Sequence, residues 1–358
     1  MLVFANSSIA SFKNLLQYMH SQGKRRVLAG KYIFLFLSFF CWANKSCNTS
    51  LVLSDLWLRL FLMATIQIQF IKTLWGVTEE MGNSPSGYSR LFARIKEDGF
   101  HGVETPIWLI KDKTAFAEAL KENDLMYIAM INTCTAPGDN TGSQKLADHL
   151  ASFERQVSEA KEMNPLLINS HSGCDLWPEA TSKAFFTRAL EVEQEQGILI
   201  CHETHRGRIL YQPWVTRDLC RAFPDLKLTA DLSHFCVVAE RCFPPEDEDW
   251  KDCMTVFADH CRHIHARVGY AEGPQVPDPS APEYSTELLR HETWWDQILT
   301  TQAAKGMQLM TVEPEHGTDG YQHRLPFTGM ETADLWVVNS WIRKRQEERM
   351  AKQAYWHK

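Results

Sequence analysis

The run GILICHETHRG, residues 197–207, decides how the chain is read. Ile198, Leu199 and Ile200 form a short apolar stretch behind a glycine, after which the sequence turns to His202, Glu203, His205 and Arg206. A short apolar run punctuated by glycine reads as a buried strand. The polar residues crowded at its end must then face a wet space at one edge of a sheet. SKAFFTRALEVEQEQ (182–196) before it and WVTRDLCRAF (214–223) after it read as helices. The stretch is therefore the centre of a helix–strand–helix unit.

The same rhythm runs through the chain from residue 63. IQIQFIKTLWG (66–76) reads as a strand, and SGYSRLFARIKEDG (86–99) places Tyr88, Leu91, Phe92 and Ile95 at helical intervals. HGVET (101–105) precedes KTAFAEALKEND (113–124), and LMYIAMIN (125–132) precedes SQKLADHLASFERQVSEAKEMN (143–164), whose Ser143 is a candidate helix cap. PLLINSHSG (165–173) comes before the helix already described. LKLTADLSH (226–234) leads to a helix near DWKDCMTVFADH (249–260), and HIHARVG (263–269) to ELLRHETWWDQILTTQAAKG (287–306). MQLMTVEPEHG (307–317) leads to TADLWVVNSWIRKRQEERM (332–350). Eight strand–helix units within residues 63–358 predict an α/β fold, a single-domain (β/α)8 TIM barrel. A doubly wound open sheet is the alternative, weakened because no glycine-rich phosphate loop follows the first strand.

Residues 1–62 are expected to form an N-terminal extension outside that barrel. They hold seven Lys/Arg against one acid, so from a total of −7 the remaining residues carry −13. A body that acidic repels a phosphate backbone, which argues against nucleic acid as a partner. The apolar run Tyr32–Ala43 is too short for a membrane span. It resembles a signal-peptide core that starts late, an organelle transit segment, or a mispredicted start upstream of Met63. Ten cysteines without paired spacing point to reduced thiols in an intracellular protein. The expected location is cytoplasmic, with organelle import or secretion if residues 1–62 belong to the protein.

In such barrels the reactive groups sit at the C-terminal ends of the strands. Strand 4 ends in SHSGCD, with His171, strand 5 in HETHRG, strand 6 in DLSH, strand 7 in HIHARVG and strand 8 in EPEHG. A structural ring of ion pairs would also use these residue types, and a single strand-end Asp is usually a cap. Consecutive strand ends of ligand type favour a site. Residues two apart share a face, so Glu203 goes with Cys201 and His205, His263 with His265 and Arg267, and Glu313 with Glu315. Two glutamates, an aspartate and a histidine from four adjacent strands suit one divalent ion. The oxygen majority favours Mn²⁺ or Mg²⁺, and the imidazole admits Co²⁺ or Zn²⁺. The Pro/Gly-rich loop 268–284 is expected to be a lid or specificity element, a linker, or an oligomer contact.

HETHRGR, LTADLSH, HIHARVGYAEGPQ and VEPEHG, in this order, resemble the xylose-isomerase-like TIM barrels, the sugar (phosphate) isomerase/epimerase superfamily, over about residues 66–345. The resemblance implies that Glu203, Asp231, His265 and a strand 8 glutamate are metal ligands, with Glu315 favoured and Glu313 the alternative. It implies a substrate-binding role for His234, a clamp role for Arg267, and sugar contacts for Glu104 and Trp75, with His171 and His205, or Arg206 in its place, lining the pocket. His316 and Thr318 stand where the related strand 8 ending has Phe and Pro. The extra carboxylate ligands of two-metal, hydride-shift isomerases have no match, which points to the one-metal, proton-transfer branch.

The expected activity is a metal-dependent sugar isomerase or epimerase acting on a ketose or related polyol. Glu203 and Glu315 would pass a proton through a metal-stabilised enediolate. The alternatives are a dehydratase of a polyol ketone on the same barrel, a non-catalytic sugar-binding barrel, and an apurinic-site endonuclease, which the acidic body disfavours. The expected partners are a small sugar or polyol and, as an open option, further copies of the chain.

Overall fold

The computed structural model of the chain describes residues 66–77, 85–318 and 320–353. The expectations for residues 1–62 thus lie outside the described residues. Eight parallel strands close into a barrel in chain order. They are β1 Gln67–Thr73, β2 Gly102–Pro106, β3 Met126–Asn132, β4 Leu167–His171, β5 Ile200–Glu203, β6 Lys227–Ala230, β7 Cys261–His265 and β8 Leu309–Glu313. β8 returns to β1 with Leu309 opposite Gln67. That closure removes the open-sheet alternative.

The helices are α1 Pro85–Glu97, α2 Lys113–Glu122, α3 Leu146–Lys161, α4 Glu179–Gln196, α5 Pro213–Ala222, α6 Ser233–Val238, α7 Glu248–His260, α8 Ser285–Ala304 and α9 Leu335–Met350. Two details depart from the sequence-based expectation. The short α6, directly after β6, had not been anticipated, and it carries His234. Helix α3 begins one residue after Lys145, and Ser143 supports it from outside: its hydroxyl accepts from Lys145 N at 3.2 Å and donates to Asp148 Oδ2 at 2.5 Å.

Local chemistry sets the element ends. Asp112, Asp247 and Asp334 cap α2, α7 and α9 by accepting first-turn amides, each such cap stabilising a helix by about 1 kcal/mol. Helix α4 stops at Gly197, whose φ of 63° lies in the left-handed region that glycine enters without a Cβ penalty. The chain then passes straight into β5.

Outside the barrel, the strands pack on the inward faces of the helices. Tyr88, Phe92, Phe116 and Tyr127 form one aromatic chain there, with Phe116 centred 5.2–5.4 Å from the other three rings. Inside, the side chains lie in layers. Ile71, Ile128, Leu167 and Cys201 fill the lower barrel as a separate apolar cluster. Two residues further along, alternation brings Thr73, Asn169 and Glu203 to the inner face of β1, β4 and β5, while β3 keeps the apolar Met130 there.

The loop 268–284 folds back as a clasp. Val276 N donates to Val268 O at 2.8 Å, and Gln275 makes two hydrogen bonds to the Gly317 backbone, at 2.8 and 3.0 Å. It braces the segment after β8, and none of its residues lines the cavity at the barrel mouth.

Candidate functional site

Strand register brings the polar residues of β5 to β8 together. Glu203 lies opposite Thr229 on β6, so Asp231 stands two positions further along its strand. One step beyond the Ala230–Ile264 pair, Asp231 comes level with His265. His265 lies opposite Glu313, and Glu315 is two positions further on. Because barrel strands tilt, this stagger sets residues of different register at one height. One ligand atom from each of Glu203, Asp231, His265 and Glu315 lies within 4.8 Å of the others, and all four residues are buried.

The choice between Glu313 and Glu315 is a difference of layer. Glu315 reaches His265 Nδ1 at 3.0 Å. Glu313 sits deeper, 3.7 Å from His263 Nε2, in a second group with Glu104, His263 and His265. His265 joins the two layers, since its Nε2 lies 3.4 Å from Glu104 Oε1. Glu104, placed by the family resemblance against the sugar, is largely engaged by protein. It accepts from Asn169 Nδ2 at 2.8 Å and pairs with His263 Nε2 at 3.0 Å.

Glu203 is held from the side. Asn169 Nδ2 at 2.7 Å and His171 Nε2 at 2.6 Å both address its Oε2. Burial alone would raise its pKa, but His171 and His265 outweigh burial and keep the carboxylate well below its usual range. Asp231 is pushed up to about 6, chiefly by burial, which Arg267 only partly offsets. Burial works against a charged His265, yet Glu315, Glu203 and Glu104 raise it well above an ordinary histidine. The deeper Glu313 is raised by burial and by the neighbouring Glu104.

Arg267 is fully buried and committed. Its Nη2 donates to Asp231 Oδ2 and, at 2.7 Å, to His234 Nε2; its Nε donates to Ser233 Oγ at 3.1 Å; its Nη1 lies 3.6 Å from Glu315. His234 is thereby turned toward Arg267 and packed against His205, ring centres 3.9 Å apart and planes tilted by 48°, and is not among the residues lining the cavity. His205 and His171 do line it, as do Trp75, Glu104 and Arg267. Trp75 stands edge-on to Tyr321 with centroids 5.0 Å apart. Gly317 makes room for it, since a Cβ there would lie 1.9 Å from the indole ring.

The cavity has a volume of about 270 Å³, with an apolar arc of Trp75, Pro106, Leu109 and Met130 opposite the acidic one. Sequence reasoning missed Asn169, Arg208 and Tyr321. Asn169 carried a usable signal, for it shares the inner face of β4 with His171. Arg208 and Tyr321 lie in turns, where no periodicity applies.

The donor set fits a divalent ion. Both ring nitrogens of His265 and Oε2 of Glu315 are buried and, beyond their charge-pair contacts, make no well-formed hydrogen bond, an arrangement that fits atoms able to ligate an ion. Three carboxylates and one imidazole make an oxygen-rich mixed set. Asn169 and His171 on Glu203, and Ser233 and Arg267 on Asp231, are the kind of supporting contacts that orient ligands. The eight described cysteines are free and take no part in it. Among the described residues no helix is long and apolar enough to cross a membrane.

No protein of curated function matches the sequence. A family model described as xylose isomerase-like TIM barrel matches residues 92–322. The fold is similar to that of D-allulose 3-epimerase from Methylomonas sp., at 13% identity over 79% of this chain and 98% of that chain, with a TM-score of 0.51. It is similar also to a D-tagatose 3-epimerase-like protein, at 14% identity, the same coverages and a TM-score of 0.51. A xylose isomerase-like TIM barrel protein from Mycobacterium smegmatis, solved in complex with magnesium, matches at 12% identity over 79% of this chain and 95% of that chain, TM-score 0.51. At such identities the likeness is one of fold.

Proposed function

The chain belongs to the xylose isomerase-like TIM barrel family, and on that premise we propose that it is a divalent-metal-dependent isomerase or epimerase of a ketose or related polyol. The observation that carries this reading is the convergence of Glu203, Asp231, His265 and Glu315 within 4.8 Å beside the cavity at the barrel mouth. These four residues would hold the ion. When bound, a divalent ion supplies Lewis acidity, which makes the C–H next to a substrate carbonyl easier to ionise.

The chain's own groups do the rest. Glu203, on β5, and Glu315, after β8, reach the site from different arcs of the barrel. One carboxylate removes the proton and the other returns it, to the opposite face in an epimerisation or to the neighbouring carbon in an isomerisation. Asn169 and His171 fix Glu203 in one orientation, so little rearrangement is needed when the proton moves. The apolar arc of Trp75, Leu109 and Met130 suits the C–H face of a sugar and excludes water from that side.

The test is elemental analysis of the purified full chain beside a Glu203→Ala/Asp231→Ala variant, followed by a ketose screen in D2O. The expected result is about one equivalent of Mn, Co, Zn or Mg in the wild type only. Deuterium from solvent should enter the substrate beside its carbonyl. No metal in either protein after reconstitution would overturn the reading. Loss of water from a substrate would move the assignment to a dehydratase.

A further inference from the structure

Two arginines line the cavity, and their guanidinium groups are in opposite states. Arg267 is used by Asp231, His234 and Ser233, with Glu315 close by. Arg208, in the turn after β5, donates through Nη1 to the carbonyls of Thr133 at 3.1 Å and Gly173 at 3.3 Å, and through Nη2 to Thr135 Oγ1 at 3.1 Å. A guanidinium has five N–H donors. Three are taken, which leaves the Nε hydrogen and one on Nη2 without a partner among the described residues.

All three acceptors are neutral, and Arg208 makes no ion pair among the described residues. Burial pulls its pKa below the ordinary arginine value, and Cys174 and Glu203 offset only part of that. A half-buried cation with a fixed orientation and no carboxylate in direct contact is stabilised by an anion that reaches it from the cavity. The planar fork of a guanidinium suits two oxygens of one carboxylate or phosphate.

Resting on the sugar-processing reading above, we propose that the substrate is an anionic sugar derivative whose carboxylate or phosphate is received by Arg208. Its carbonyl end then points toward Glu203 and Glu315. The acidic layer and Arg208 so divide the cavity into a reacting end and an anchoring end. A neutral ketose offers the two free donors of Arg208 hydroxyl oxygens but no counter-charge.

The experiment measures binding of D-fructose, D-fructose 6-phosphate and 2-keto-D-gluconate to the metal-loaded full chain by calorimetry, in wild type, Arg208→Gln and Arg208→Lys. At least one anionic probe should bind wild type about tenfold or more tightly than fructose, the equivalent of ~1.4 kcal/mol. The phosphate and carboxylate probes identify which anion is preferred. Arg208→Gln should lose that preference, and Arg208→Lys should keep part of it. Equal binding of fructose and both anions by wild type would overturn the inference alone, as would a preference that survives in Arg208→Gln. Because the first comparison uses wild type only, a variant that fails to fold does not shield the proposal. Absence of binding by all three sugars would overturn the sugar-processing reading together with it.

Discussion

The barrel interior and the jacket between strands and helices both bury histidines, with opposite consequences. His202 and Glu203 are neighbours on β5, yet His202 points outward into Phe153, Phe185 and Phe186, with Phe186 centred 5.1 Å away. There burial alone lowers its pKa to about 3, and its Nδ1 meets only Ser172 Oγ, at 2.6 Å. His265, inside, is equally buried but faces three carboxylates and is driven the other way. Burial therefore does not say what a histidine is for. The charge on the face it points to does.

The largest effect is expected where that interior charge is broken. Asp231→Ala leaves Arg267 buried with Glu315 as its nearest carboxylate, which should cost ~3–5 kcal/mol in urea denaturation and abolish divalent ion binding by elemental analysis. Full stability in that variant would mean that the interior is no more demanding than the jacket. Glu203→Gln keeps the shape and removes the charge. On the proposed chemistry it lowers kcat by about 10²–10⁴ with the fold retained, as checked by deuterium exchange and circular dichroism. Full turnover with metal bound would remove Glu203 from the proton path.

The jacket offers the next test. Because His202 has a depressed folded pKa, the unfolded chain binds more protons than the native one below pH 6.5. Its contribution to stability is complete above about 6.5 and is lost as the pH falls toward about 3. Between pH 7 and pH 5 this one group should remove ~2 kcal/mol, estimated from those limits. His202→Phe should flatten that part of the stability-versus-pH curve. An unchanged slope would mean that His202 is not neutral in the native jacket. The smallest effect is expected at the mouth. Gly317→Ala displaces Trp75 and should raise the KM for a sugar about tenfold, within the range for overpacking, while metal content stays at the wild-type value. A loss of metal instead would tie the apolar arc to the ligand layer.

The family resemblance was legible at β5 to β8 because each strand end carries a carboxylate or imidazole in the short motif itself. Asn169 could have been read from alternation with His171. Arg208 could not, since its partners Thr133, Thr135 and Gly173 come from the segments after β3 and β4. The clasp 268–284, expected as a lid or specificity element, a linker or an oligomer contact, braces Gly317 beneath Trp75, a pairing between distant loops that composition cannot specify.

The chain's alternation of apolar strands and helices by itself determined the eight-unit barrel, and period two determined which residues face inward. Height within the barrel was decided only by the tertiary structure. Glu313 and Glu315 share a face, and nothing local separates them. The stagger of tilted strands puts Glu313 beside His263 and Glu104, and Glu315 beside Glu203 and Asp231. Alternation is a property of one strand, whereas height depends on the register among all eight, and that is fixed only when β8 closes on β1.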